Sequence, residues 1–188
     1  LGGPAGVTEM HALARDLSGA RARAHDVAVE ALAAHPSLPY YATAGRDGTA
    51  LLWQIGAPKP LVRFSSLQAS SSSSAVMSCV AFSRNGTKLA AGDRGGRLSV
   101  WSIDAQQSPQ VPFWTMRAHA KRVEGVVFAD GGHQLLTAGV GRGAHVALWD
   151  TLVPQNKARV RHWSFEPGCT AVVRVNGGAE VVVATKKG

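Results

Sequence analysis

The sequence predicts an all-β chain built from repeated four-stranded sheets. Trp53, Trp101 and Trp149 lie 48 residues apart in this chain of 188 residues, and each closes a similar phrase. The three phrases read TAGRDGTALLWQ, AAGDRGGRLSVWS and TAGVGRGAHVALWD. Each phrase combines small residues, a glycine-containing turn and an alternating apolar stretch, which is typical of a β-hairpin. A fixed period of this length indicates stacked supersecondary units rather than one irregular domain.

The first repeat contains four predicted strands, at 27–34, 38–44, 49–54 and 60–64. Asp47-Gly48 supplies the positive φ that a tight hairpin turn requires. A helix is the alternative for the first segment, because its Ala and Glu residues favour helices. The β-branched residues at the same place in the other repeats favour the strand.

The later repeats follow the same order. Strands are predicted at 76–82, 87–91, 97–101 and 111–116, and again at 123–128, 134–138, 145–149 and 159–164. Asn85-Gly86 is a strong hairpin signal in the second repeat. A fourth repeat has two predicted strands, at 170–176 and 180–185, and its turn is the closing Lys186-Lys187-Gly188.

The repeats resemble the WD-repeat β-propeller family. The residues that carry the resemblance are Leu148-Trp149-Asp150, Leu52-Trp53-Gln54 and the Ala-His pairs at 24–25 and 118–119. The resemblance implies a partial WD40 β-propeller of about three and a half four-stranded blades. The blades are expected at about 24–64, 75–116, 117–164 and 165–188, the last incomplete, after a flexible N-terminal linker over 1–23.

The length and the two ends predict a piece of a larger ring. Closed propellers have four to eight blades, and the chain starts at Leu1 and stops within a repeat. We therefore expect the remaining blades of a parent chain to complete the ring, and we expect the fragment to be unstable alone.

The family resemblance also implies a buried hydrogen-bonded tetrad of His, Ser/Thr, Asp and Trp in each blade. His25, Thr43, Asp47 and Trp53 match all four positions. His119, Thr137 and Trp149 match three, without an Asp in the turn. The second repeat keeps the blade tryptophan, Trp101, but lacks the His. Blade two is therefore expected to be held by packing rather than by a buried polar network.

A narrower resemblance points to the C-terminal WD repeats of the DmX-like (rabconnectin) proteins. It rests on HPSLPYY at 35–41, GRDG at 45–48, VALWDTLVP at 146–154 and the closing VATKKG. Those proteins are very large scaffolds that help to assemble the vacuolar-type proton ATPase. The resemblance implies a non-catalytic scaffold, cytoplasmic or peripheral to endomembranes, whose partners are peripheral V-type ATPase subunits or assembly factors.

Composition narrows the alternatives. The net charge of +8 can serve an acidic partner, nucleic acid or an anionic membrane surface. The alternatives to a V-type ATPase scaffold are a ubiquitin-ligase substrate receptor and an RNA- or chromatin-binding propeller. Nucleic acid is the less expected partner, because the aromatic residues are few and occupy blade positions instead of forming stacking platforms. No apolar run has the length of a transmembrane segment.

The sequence offers no catalytic, cofactor or metal site. His11, His133, His145 and His162 lack ligand-like spacing to Cys, Asp or Glu, so no metal is expected. Phosphate-binding Gly-rich loops and Gly-x-Ser-x-Gly elbows are missing from the sequence. Cys79 and Cys169 are predicted to be buried free thiols, because two cysteines are too few for a disulfide framework. We expect a protein that is not an enzyme and carries no cofactor.

One recurrence suggests a partner-binding rim; the alternative is that exposed turns tolerate arginine freely, and the third position depends on a longer turn. Arg46, Arg94 and Arg142 each lie seven residues before a blade tryptophan, and Lys186 lies at the corresponding place in the fourth repeat. Equivalent turns of a propeller lie on one face around the central channel. Cations there would attract an acidic peptide, a phosphate or an anionic headgroup.

Overall fold

The computed structural model of this chain describes residues 7–9, 21–65, 75–103, 110–129, 132–140, 145–164, 169–175 and 180–185. These residues form five antiparallel sheets, three of four strands and two of two strands. The prediction of an all-β propeller fragment is confirmed: each four-stranded sheet is one blade, and its strands pair in chain order.

The strands are as follows. The first pair is β1 (Val7–Glu9) and β2 (Arg21–Arg23). Blade one contains β3 (Val29–Ala34), β4 (Tyr40–Gly45), β5 (Thr49–Gln54) and β6 (Val62–Ser65). Blade two contains β7 (Met77–Phe82), β8 (Lys88–Asp93), β9 (Arg97–Ser102) and β10 (Trp114–Arg117). Blade three contains β11 (Val123–Phe128), β12 (Gln134–Gly139), β13 (Val146–Asp150) and β14 (Arg159–Trp163). The last pair is β15 (Cys169–Val175) and β16 (Glu180–Thr185).

The strand prediction for the first segment is confirmed over the helix alternative, because β3 pairs antiparallel with β4. Several strand ends coincide with their predicted places, and the others move by up to three residues. The outer strands of the first two blades both start late, β6 at Val62 and β10 at Trp114. Both strands follow a proline, Pro60 or Pro112, which has no N–H to donate to a strand ladder.

The N-terminal segment differs from the linker predicted over 1–23. There β1 pairs with β2, with Val7 opposite Arg23. Arg23 directly precedes Ala24-His25, as Arg117 at the end of β10 precedes Ala118-His119. The pair therefore corresponds to the third and fourth strands of a blade. No alternating pattern marks these two strands, because three residues are too few to show one.

The first strand of every blade carries a bulge at the same place. Its register shifts around Glu30 in β3, Ser78 in β7, Glu124 in β11 and Thr170 in β15. A bulge redirects a side chain out of the regular alternation. The Ser78 hydroxyl accordingly donates to the carbonyl of Val123 at 2.6 Å, in the next blade.

Most of the core lies between blades, and a smaller cluster of Tyr41, Leu51 and Trp53 lies within blade one. Phe64 and Met77 join Leu89 and Trp101 in one cluster, which seals blade one against blade two. A second cluster joins blade two to blade three, and a third joins blade three to β15. Each blade thus buries its apolar face against its neighbour, which holds the turns at the blade edges in fixed relative positions.

Candidate functional site

Blade one brings the four predicted tetrad side chains together. The Trp53 indole donates to the hydroxyl of Thr43 at 2.9 Å, and that hydroxyl lies 2.7 Å from Nε2 of His25. Nδ1 of His25 lies 2.9 Å from Oδ2 of Asp47. A carboxylate only accepts, so Nδ1 carries a proton, and in the neutral imidazole Nε2 accepts from Thr43. The donors therefore run from Trp53 through Thr43 and His25 to Asp47.

Asp47 ends this chain of hydrogen bonds with several donors. Burial alone would raise the pKa of Asp47, but hydrogen bonds from His25 and Thr49 outweigh it and lower the pKa from 3.8 to about 2. The Thr49 hydroxyl donates to Oδ1 at 2.7 Å, and the Thr49 backbone N–H donates at 3.0 Å. Asp47 is therefore ionised at neutral pH and fixes both the His25 ring and the hairpin turn.

Two glycines leave room for the histidine rings. A Cβ on Gly45 would lie 2.2 Å from Nδ1 of His25, and a Cβ on Gly139 would lie 2.3 Å from Cγ of His119. The same place in blade two is Asp93, the partner of the first residue of β7. Glycine thus accompanies histidine in blades one and three, and a larger residue stands where the sequence lacks that histidine.

Blade three contains three of the four tetrad side chains in the same arrangement, without the Asp. The Trp149 indole donates to the Thr137 hydroxyl at 2.8 Å, and that hydroxyl lies 2.8 Å from Nε2 of His119. All three side chains are buried. The turn where an Asp would stand, 141–144, lies outside the described residues.

Blade two anchors its tryptophan differently. Trp101 is fully buried and packs against Phe64, with ring centroids 5.5 Å apart. Its indole donates to the backbone carbonyl of Gln110 at 3.1 Å. Asp93 is buried, and its carboxylate accepts from the Arg97 backbone N–H at 2.8 Å. Burial raises the pKa of Asp93 despite backbone N–H groups that lower it.

The predicted cations of the first two turns lie at one edge of the blades. The Arg46 and Arg94 backbone N–H groups donate to Ala28 and Val76, at 2.9 Å in each blade. In blade three the equivalent bond, to the carbonyl of Arg122, is made by Val140 at 2.9 Å. In blade three, the residue seven positions before the tryptophan is therefore Arg142, whereas the residue directly after β12 is Val140. Arg142 and Lys186 both lie outside the described residues.

The cations converge on Glu30, which sequence reasoning missed. Arg46 is hydrogen-bonded to Glu30 through Nε, and Nη2 of Arg94 lies 3.2 Å from the same carboxylate oxygen. Arg122 reaches the other oxygen at 3.6 Å and also lies 2.9 Å from Glu124. We name these five side chains the arginine rim. It spans three blades, and the bulged positions of β3 and β11 supply its carboxylates.

The rim keeps an excess of positive charge. Burial alone would raise the pKa of Glu30, but the Arg46 hydrogen bond and the charges of Arg94 and Arg122 outweigh it and lower the pKa. Glu30 is therefore ionised at neutral pH. Its three guanidinium groups face two carboxylates, those of Glu30 and Glu124, which leaves one positive charge among these five side chains.

Within the described part of the chain, two nitrogens of the rim are buried without a hydrogen-bond partner, and two of its arginine side chains are partly exposed. Nε of Arg94 and Nε of Arg122 are buried without a hydrogen-bond partner among the described residues. For Arg122 the short distance to Glu124 is an ion pair that lacks hydrogen-bond alignment. The Arg46 side chain is 52% exposed and the Arg94 side chain 36%. The guanidinium faces that Glu30 leaves open are thus accessible to a ligand.

His35 and His133 contact other side chains, and both cysteines are buried. His35 packs against Phe82 and Tyr40, and His133 lies 3.1 Å from Nζ of Lys88. The cysteines at 79 and 169 are buried and free, as predicted. Across the described ranges, no three His, Cys, Asp or Glu side chains group closely enough to hold a metal ion. His11 lies outside those ranges.

Comparison with protein families identifies the repeat. The model described as "WD domain, G-beta repeat" matches residues 19–54 and 63–102. The first match starts before the histidine of the tetrad and ends at the last residue of β5, and the second ends with β9. Residues 19–54 and 63–102 are therefore WD40 repeats, and the repeat assignment drawn from the Trp53 and Trp101 segments is confirmed.

Curated relatives include the DmX-like proteins. The chain is 27% identical over 151 residues to DmX-like protein 1 of Homo sapiens, and 26% identical over the same length to that of Mus musculus. Each alignment covers 77% of this chain and 5% of the relative. The chain thus spans a small part of proteins far longer than itself.

Solved structures show the same fold. A structure of U3-55K superposes with a TM-score of 0.62 at 22% identity, covering 80% of this chain and 43% of the other. A crystal structure of the RRP9 WD40 repeats superposes with the same TM-score at 23% identity and the same coverage. In the described part of this chain, no helix has the length and apolar character that a bilayer crossing requires.

Proposed function

We propose that this chain is a non-catalytic interaction scaffold whose arginine rim docks an acidic segment of a partner protein. A WD40 propeller presents turns on a rigid frame, and binding specificity resides in those turns. The observation that carries the proposal is the convergence of Arg46, Arg94 and Arg122 from three blades on one carboxylate. Arginine groups suit carboxylates because their N–H donors match the two oxygens.

Arg142 and Lys186 extend this proposal. Both were predicted for the same face from the repeat pattern. Added to the rim, they would raise its positive charge and widen the surface over which an acidic segment is attracted. The buried tetrad of blade one and the His119–Thr137–Trp149 network of blade three would serve this surface by fixing the turns that carry it.

The larger protein is proposed to act in vacuolar-type proton ATPase assembly. The support is the similarity to DmX-like protein 1 at 27% identity over 151 residues, together with what the DmX-like resemblance implies for such scaffolds. In this proposal the partners are peripheral V-type ATPase subunits or assembly factors. The protein acts in the cytoplasm or at the surface of endomembranes.

Affinity purification of the tagged full-length protein tests this function. The extract is treated with nuclease, and the co-purifying proteins are quantified by mass spectrometry. Enrichment of peripheral V-type ATPase subunits is the expected result. Recovery of ubiquitin-ligase, ribosomal or chromatin components in their place would refute the V-type ATPase role and would support one of the two alternative propeller functions.

A further inference from the structure

The carboxylate at the centre of the arginine rim is unusual for a surface built to attract anions. The Glu30 side chain is only 11% exposed, and both of its oxygens face guanidinium groups. Arg46 belongs to the same blade as Glu30, whereas Arg94 belongs to blade two and Arg122 to the start of blade three. An internal anion therefore already occupies the place where the rim attracts negative charge most strongly.

Glu30 reaches this place through its bulge. The register of β3 against β4 shifts between Val29 and Ala31, so Glu30 leaves the regular alternation of the strand. The equivalent residue of blade two, Ser78, uses its hydroxyl to bond the backbone of the next blade. Glu30 instead extends a charged group towards two neighbouring blades. The backbone bulge places Glu30 at this position, and its side chain, longer than that of Ser78, reaches the guanidinium groups of the rim.

We propose that Glu30 is an internal competitor for the rim, and that the external ligand is a single Asp or Glu side chain of an acidic peptide segment. This inference rests on the proposed docking function. An incoming carboxylate shares or takes over the guanidinium donors that Glu30 uses, so affinity is held below what three arginines would otherwise give. The rim then binds a partner reversibly instead of retaining any acidic surface it meets.

The charge balance selects the ligand class. Three guanidinium groups against Glu30 and Glu124 leave one positive charge, which one partner carboxylate neutralises. A phosphate at neutral pH carries close to two negative charges, so it would leave the cluster with an excess negative charge beside the buried Glu30.

The test uses Glu30→Gln in the full-length protein. The substitution keeps the shape of the side chain and one acceptor oxygen, and it removes the negative charge. The matched control is Asp150→Asn, which makes the same change of charge where the Asp150 carboxylate accepts from the Leu152 backbone N–H, away from the rim. The probe is a fluorescent peptide of four glutamates separated by glycines, measured by anisotropy at low ionic strength.

We expect Glu30→Gln to tighten binding of the glutamate peptide about three- to tenfold. The control should change it less than about twofold, and Arg94→Gln should weaken it. Thermal unfolding of each variant separates these effects from loss of the fold. Unchanged or weaker binding by a folded Glu30→Gln protein would overturn the inference, and so would tighter binding of a matched phosphoserine peptide than of the glutamate peptide by the wild-type protein.

The two proposals fail in different ways. If Arg94→Gln weakens binding but Glu30→Gln does not tighten it, the docking surface stands and the competitor role of Glu30 is wrong. If neither substitution changes binding of the peptide or recovery of cellular partners, the rim is not the docking surface and both proposals are wrong.

Discussion

Gly45 is predicted to be intolerant of a single methyl group, and His25 is the reason. A Cβ at this position would lie 2.2 Å from Nδ1 of His25 and 2.7 Å from a carboxylate oxygen of Asp47. In Gly45→Ala the imidazole must therefore move out of its site. The ring cannot move far and keep its bonds to Thr43 and Asp47, which are 2.7 Å and 2.9 Å long.

The magnitude follows from those two bonds. A buried hydrogen bond between neutral groups contributes about 1 kcal/mol, and one to a charged group contributes about 2 kcal/mol. Loss of both predicts that Gly45→Ala lowers the free energy of unfolding by about 3 kcal/mol. His25→Ala loses the same bonds and should cost a similar amount. Once the ring is gone, only the Asp47 carboxylate oxygen, 2.7 Å from the methyl group, still has to shift.

Urea denaturation of a double-mutant cycle measures this coupling. The double variant, carrying Gly45→Ala and His25→Ala, is expected to cost about as much as His25→Ala alone, which gives an interaction energy of about 2–3 kcal/mol. Additive effects of the two substitutions would refute the reasoning, because they would mean that the methyl group is excluded by the backbone and not by the imidazole.

Three further predictions concern buried groups of blades one and two. Thr43→Val should destabilise the protein by about 2–4 kcal/mol, because the Trp53 indole and the His25 ring both lose their hydrogen-bond partner. The control is Ser99→Ala in blade two, which removes a hydroxyl contact to Thr115 at 3.0 Å. It should cost about 1 kcal/mol in the same urea assay. The pKa of Asp47 is lowered from 3.8 to about 2, which contributes about 2 kcal/mol of stability at pH values above 3.8. This stability is lost as the pH falls through about 2. Asp47→Asn should remove that part of the pH dependence of the unfolding free energy, and an unchanged pH profile would contradict the prediction. Burial raises the pKa of the Cys79 thiol to about 12, so labelling of Cys79 by iodoacetamide at pH 8 should require unfolding and should accelerate in urea; rapid labelling of the folded protein would disprove this.

The blade architecture was predictable because it depends on local and repeated features. The tryptophan of each repeat, the Asp47-Gly48 turn and the Asn85-Gly86 turn mark strand ends within a few residues of their place in the structure. The interblade core follows from the same apolar alternation. The pair of β1 and β2 was missed, because three-residue strands in a Gly- and Ala-rich segment carry too little pattern.

The arginine rim was only partly predictable. Arg46 and Arg94 follow from the turn position, because both turns have the same length. The turn of blade three is longer, so the distance from Trp149 and the position after β12 identify different residues, Arg142 and Val140. Glu30 could have been found only by comparing bulged positions between blades. A bulge depends on strand pairing and leaves no local sequence signal.

Substitution of the two rim arginines tests the central claim most directly. The full-length protein carrying Arg46→Gln and Arg94→Gln is compared with wild type for its recovery of peripheral V-type ATPase subunits. Arg159→Gln with Arg161→Gln, on the exposed outer strand β14, removes the same charge elsewhere. The account predicts that the rim variant stays folded, at an unfolding temperature lowered by the loss of the Glu30 ion pairs, and loses these partners, while the β14 variant retains them. Equal recovery by all three proteins would contradict it.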